Sequence, residues 1–182
     1  MSVVIENKEL PVKAAREGCS DAWNVLFKRY QLPIYVYLFE LVHDEQLSLD
    51  IVQETFIAAV RYLPSLREDA RFGSWLFSIA HQKCIQKWRR RSHEEIQPDT
   101  DLADLPDGKE GPDDFLIRRE QEETFMTLLS LLSLPQRSVL LLHFVEDFPL
   151  TEIALITGVS VGTVKSRLHY AKKALLRFES VG

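Results

Sequence analysis

The segment from Ser92 to Asp114, SHEEIQPDTDLADLPDGKEGPDD, limits the possible folds of this chain more than any other stretch. Its 23 residues carry three prolines, two glycines, nine acidic side chains and one lysine. So little apolar surface cannot offset the entropy of ordering, and the segment reads as a flexible linker. The chain is therefore expected to divide into residues 1–91, a linker over 92–114 and residues 115–182. Fully extended, such a linker reaches about 75 Å.

Charge follows the same division. The formal net charge is −5, a total that hides an uneven distribution along the chain. Residues 1–91 hold 13 Lys/Arg against 11 Asp/Glu, net +2; residues 92–150 hold 4 against 14, net −10; residues 151–182 hold 5 against 2, net +3. The acidity is confined to the middle, and local charge governs docking onto phosphate.

Hydrophobic residues make up 46% of the chain, enough to build cores. No apolar run approaches bilayer-spanning length, and Glu6 and Glu9 stand where a signal peptide needs positive charge, so no membrane insertion and a cytoplasmic location are expected. Cys19 and Cys84 form no CxxC pair, and His81 with Cys84 supplies only two ligands, so neither a metal site nor any cofactor is expected. Asp50, Glu54 and His43 are dispersed, and no nucleophile lies beside a base in a glycine-rich turn. A non-enzymatic protein is expected, with no catalytic residues.

Before the linker the apolar period is helical. Ser20 or Asp21 suits an N-cap for AWNVLFKRY, with Trp23, Leu26, Phe27 and Tyr30 as its stripe. Pro33 suits the start of a second helix, IYVYLFELV, and Ser48 or Asp50 that of a third, IVQETFIAAVRYL, ended by Pro64. After the loop SLREDAR comes FGSWLFSIAHQKCIQKWRRR, apolar along Phe72, Trp75, Leu76, Ile79 and Ala80, with Ser78, Gln82, Gln86 and Arg89 on another face. Beyond the linker, FLIRREQEETFMTLLSLLS reads as a helix, Leu134-Pro135 as a boundary and QRSVLLLHFV as a buried helix. No β-alternation of useful length appears, and the fold class is all-α.

Two constellations point to nucleic acid. In residues 149–178, Pro149 opens a short helix with Ile153, Ala154 and Ile156 inward, Gly158 stands where an interhelical turn needs positive φ, and Ser160 caps a second helix. Val161, Val164, Leu168, Ala171 and Leu175 face inward in that helix. Thr163, Lys165, Ser166, Arg167, His169, Tyr170 and Lys173 are left outward, a mixture of cations, hydroxyls and an aromatic ring suited to phosphates and base edges in a major groove. In the first module, Lys87-Trp88-Arg89-Arg90-Arg91 would, alone, be a well-terminated surface helix. With Phe72, Trp75, Gln82 and Gln86 upstream, it suits stacking and hydrogen bonding to unpaired bases.

With DIVQETF at 50–56, FGSWLFSIA at 72–80 followed by RRR at 89–91, LPQRSVLLL at 134–142 and TEIALITGVSVGTVKSRLHYAKKAL at 151–175, the chain resembles the extracytoplasmic-function (ECF) sigma factors of the sigma-70-like family over nearly its whole length. The resemblance implies a subunit that binds core RNA polymerase, selects promoters and assists strand opening. It implies a region 2-like domain over 1–91 and a region 4-like helix-turn-helix domain over 115–182. It assigns the polymerase contact to Asp50, Gln53 and Glu54. It assigns the minus-ten element to the loop 65–71 with Leu66 and Arg67, and to Phe72, Trp75, Gln82, Gln86, Arg89 and Arg90. The minus-thirty-five element falls to Thr163, Lys165, Ser166, Arg167, His169, Tyr170 and Lys172. An anti-sigma factor is implied as a further partner. Gln82, Gln86 and Leu66 depart from residues common in such proteins, which leaves the minus-ten preference open. An ordinary repressor would leave the Asp50 helix and FGSWLF unexplained; a sigma-like mimic that binds a regulator without promoter DNA has the basic helix and recognition face against it and stays open through Gln82 and Gln86.

Overall fold

The structure, a computed structural model, describes residues 10–95 and 127–179. The expected linker beyond Glu95 and the expected helix over 115–126 lie outside the described residues. The first module holds α1 (Val12–Arg16), α2 (Ser20–Val42), α3 (Glu45–Tyr62), two 3-10 turns at Leu63–Ser65 and Asp69–Arg71, and α4 (Phe72–Glu95). In the second, a helical turn over 127–130 leads to α5 (Leu134–Phe144), α6 (Leu150–Thr157) and α7 (Val161–Glu179). No strand occurs among the described residues, and the all-α class holds.

Four boundaries differ from the sequence reading. Pro33 lies inside α2, which runs unbroken for 23 residues with Cys19, not Ser20 or Asp21, as its N-cap. An interior proline removes one backbone hydrogen bond and costs about 3 kcal/mol. Leu26, Tyr30, Ile34, Tyr37, Leu38 and Leu41 form one continuous buried stripe across it, and burial of each large side chain contributes about 2 kcal/mol, so packing outweighs the break. α3 begins at Glu45, ahead of Ser48 and Asp50; its cap is Asp44, whose carboxylate accepts from the Leu47 amide at 2.8 Å. α4 continues to Glu95, past the expected end of the module at Arg91.

The first core is built where α2, α3 and α4 meet. Gly73 lets α4 approach α2 closely, since a Cβ there would lie 3.1 Å from the Tyr30 hydroxyl. Phe72, Leu76, Phe77, Ala80 and Cys84 are fully buried on α4. In the second module α5 carries Val139 and Leu142, α6 Ile153 and Ile156, and α7 Val164, Leu168 and Ala171 into a shared core. Gly158, at φ +69°, makes the turn between α6 and α7. Ser160 Oγ accepts from the Thr163 amide at 3.1 Å, the cap expected for that helix.

The two modules are packed together. α6 lies along α4, and α5 meets α2. Phe148 sets its ring edge-on to Phe77 at 5.1 Å. Arg137 is buried and spreads its guanidinium over main-chain carbonyls at the ends of two helices: Nε donates to Leu129 O at 2.9 Å, Nη2 to Leu132 O at 3.2 Å, and Nη1 crosses to Leu41 O on α2 at 2.8 Å. Carbonyls near a helix C-terminus carry partial negative charge. These carbonyls therefore compensate part of the buried charge.

Candidate nucleic-acid and polymerase interface

On α3, Asp50 and Gln53 are exposed. Ile57 and Val60, 63% and 57% exposed, continue their face at helical spacing. That face is polar at one end and apolar at the other. Glu54 stands apart from it: its carboxylate is held by Lys87 and, at 3.5 Å, by Lys83. The Lys87 hydrogen bond keeps that carboxyl below its ordinary range. Glu54 thus ties α3 to α4 within the module.

The loop before α4 is held from a residue the sequence reading did not single out. Arg16 of α1 donates to Leu66 O at 3.2 Å and pairs with Asp69. Leu66 is half-buried and Arg67 exposed. Phe72 requires a correction: its ring is fully buried against Tyr30 at 5.4 Å and Trp75 at 5.7 Å, so it is a core side chain and presents no stacking surface. The pattern that placed Phe72 on the apolar stripe of α4 is the reason, since the same stripe faces α2. Trp75 is half-buried, while Gln82, Gln86, Arg89 and Arg90 are exposed along α4.

On α7, Lys165, Ser166, His169, Tyr170 and Lys172 are exposed as expected. Tyr170 lies edge-on to His169 at 5.5 Å, and the Lys172 ammonium sits 4.9 Å from the centre of the Phe144 ring. Thr163 and Arg167 are half-buried, and the outward reading of Arg167 needs revision: it turns toward α4. Burial lowers the proton affinity of its guanidinium.

Arg167 meets the α4 row in one cleft of about 370 Å³, where His81, Gln82, Gln86 and Arg89 line one side and Ser138 and Thr157 the other. His81 is buried and its Nδ1 shares a hydrogen bond with the Tyr37 hydroxyl at 2.8 Å. Burial, and then the nearby Arg167 charge, push its pKa down to about 4, so the ring is neutral at pH 7. The residues expected to grip a separated strand and one expected to read a duplex thus face each other across the modules. No group of three or more His, Cys, Asp or Glu side chains able to hold a metal occurs among the described residues, and no described helix is long and apolar enough to cross a membrane.

Known proteins share this arrangement. The family described as Sigma-70 region 2 matches residues 26–94, and Sigma-70, region 4 matches residues 122–175. The RNA polymerase sigma-H factor of Pseudomonas aeruginosa is 30% identical over 182 residues, covering 93% of this chain and 92% of that protein. The ECF RNA polymerase sigma factor SigW of Bacillus subtilis is 28% identical over 177 residues, covering 90% and 92%. Among solved structures, CnrH in complex with the cytosolic domain of CnrY superposes with a TM-score of 0.71 at 21% identity, covering 97% of this chain and 99% of that one. The sigma factor RpoE of Bartonella quintana, in complex with the anti-sigma factor NepR, gives 0.66 at 22%, covering 87% and 96%. Two sigma-70 regions in order, on a two-module helical fold, place this chain among the ECF sigma factors of the sigma-70-like family.

Proposed function

We propose that the chain does this family's work, transcription initiation, through three separate surfaces. The α3 face with Asp50 and Gln53 docks on core RNA polymerase, Glu54 acting behind it through its lysine pairs. Trp75, Gln82, Gln86, Arg89 and Arg90 on α4, with Leu66 and Arg67 of the preceding loop, capture the separated minus-ten strand by stacking, amide hydrogen bonds and phosphate contacts. Lys165, Ser166, Arg167, His169, Tyr170 and Lys172, with Thr163 at the helix start, read the minus-thirty-five duplex in its major groove. The chain supplies binding energy to the polymerase and no bond chemistry of its own. It works in the cytoplasm, and an anti-sigma factor holds it inactive.

The observation that carries this reading is the pairing of a glycine-turned, serine-capped helix-turn-helix with an amide and arginine row on α4 in a single chain. Run-off transcription by core polymerase with the purified chain, over a library of promoter fragments, tests it: specific transcripts that depend on the chain are expected, and none at any promoter would overturn it. Each phosphate contact contributes about 0.9 to the slope of log affinity against log salt. Lys165→Ala and Arg167→Ala should each flatten that slope for holoenzyme on duplex by about that amount. Trp75→Ala should leave duplex binding in place and slow strand opening, read with permanganate.

A further inference from the structure

Among the described residues, the cleft between α4 and the second module has an unbalanced charge. Arg89 and Arg167 both line it, and neither guanidinium has a hydrogen-bond or ion-pair partner among the described residues. No carboxylate stands among the lining residues, and the one titratable neighbour, His81, is neutral at pH 7. A partly desolvated cation without a counter-ion is costly, and a cleft walled by apolar groups concentrates its field. Ile85, Leu134, Pro135 and Val159 supply such walls. Gln82 and Gln86, one turn apart on the same α4 row, add two amides with both donor and acceptor capacity.

We propose that this cleft is a binding site for a nucleoside phosphate, its phosphate held by Arg167 and Arg89 and its base edge by Gln82 and Gln86. Guanidinium groups match phosphate oxygens in paired hydrogen bonds, and glutamine amides match base edges. Ile85 of α4 and Leu134, Pro135 and Val159 of the second module add apolar lining for a base. A volume of about 370 Å³ falls within the range of small-ligand sites, roughly 300 to 1,000 Å³. Because the site takes Arg167 from one module and the α4 row from the other, a bound nucleotide stabilises the packed arrangement and withholds these groups from promoter DNA. The consequence rests on the DNA-reading roles proposed above; the binding site itself rests on the cleft.

Calorimetric titration of the full-length chain with ADP and with GDP, in about 0.15 M salt, tests the proposal, with adenosine, guanosine and inorganic pyrophosphate as comparisons. At least one of the two diphosphates is expected to saturate at one per chain, with its nucleoside and pyrophosphate at least about tenfold weaker. Arg167→Ala should weaken binding about tenfold or more, the loss of one charged hydrogen-bonding group. Pro135 is exposed in the first turn of α5 at the cleft, a position that accepts a carboxylate. Pro135→Glu should likewise weaken binding by placing a negative charge beside the phosphate, while Pro135→Gln retains it. In run-off assays the diphosphate should slow holoenzyme assembly with the wild-type chain and not with Pro135→Glu, whose transcription without nucleotide is unchanged. Failure of both diphosphates to saturate by about 1 mM, far weaker than a cofactor site, would overturn the site. Equal binding by pyrophosphate would remove the base from it, and wild-type affinity in both Arg167→Ala and Pro135→Glu would place the ligand elsewhere. Chain-dependent transcription without nucleotide binding would end this inference alone; nucleotide binding without transcription at any promoter would end the initiation reading alone.

Discussion

Burial favours the uncharged form of both Glu146 and His81, and protons act on them in opposite directions. Glu146 is 1% exposed beside Pro33 and Val36 of α2, and its Oε2 meets no donor among the described residues. Burial, with Asp147 adding to it, pushes its pKa up to about 7 from 4.5. Its contribution to stability is therefore full below pH 4.5 and is lost as pH rises to 7. For His81 the folded pKa is depressed, from 6.5 to about 4, so its contribution is full above pH 6.5 and is lost as pH falls to 4. Between pH 4.5 and 6.5 the two oppose each other. Glu146→Gln removes one of them: the variant should be more stable than wild type by up to about 3 kcal/mol at pH 7.5 and by under about 1 kcal/mol at pH 5. Urea unfolding midpoints at the two pH values measure the difference, and an equal gain at both would mean that Glu146 ionises normally. The burial of Glu146 and of Arg137 was not legible in the sequence. Glu146 counted only as one more charge in an acidic stretch, and Arg137 only as part of a motif, because a loop carboxylate and a helix arginine become buried through packing between distant segments.

At the scale of elements, local chemistry was legible and tertiary compensation was not. The α6–turn–α7 unit follows from Gly158 and Ser160 alone, since a positive φ and an unsatisfied helix start have few residue solutions. The unbroken α2 could not be read the same way, because the burial that outweighs the Pro33 break lies in contacts with α3 and α4. On α4, the amide and arginine row lies at the surface where the sequence reading puts it, whereas Phe72, counted with the stacking residues by both the residue pattern and the resemblance, is turned into the core by its apolar position. Two substitutions isolate the local part. Ser160→Ala should cost about 1 kcal/mol by leaving the Thr163 amide without its acceptor. Gly158→Ala should cost about as much through backbone strain alone, because a Cβ there meets no atom within 4 Å. Both are read as lower denaturant midpoints at unchanged slope. A midpoint unmoved by Gly158→Ala would show that the turn had relaxed out of the left-handed region.

On the roles proposed for the two DNA-facing surfaces, the whole molecule has to rearrange to work. With α6 along α4 and Arg167 turned into the cleft, the row proposed to grip a strand and one residue proposed to read duplex face each other and not two stretches of one promoter. Engagement of both elements requires the modules to separate, breaking the Arg137 bond to Leu41 O and the Phe148–Phe77 contact and baring Glu146. Core polymerase can drive that only through a difference in affinity for the separated and packed arrangements. The chain's two cysteines make the motion measurable. Cys19 is exposed, whereas Cys84 is fully buried with its thiol pushed up to about 12, so almost none of it is thiolate at neutral pH and maleimide labelling should pass it by. A chain with Lys173→Cys, at an exposed position on α7, then carries one label on each module. Energy transfer between the labels should be high in the chain alone and fall when core polymerase is added, before any DNA is present. An efficiency that stays high through polymerase binding and promoter opening would mean that initiation proceeds with the modules packed, and that the α4 row and Arg167 do not reach separate promoter elements.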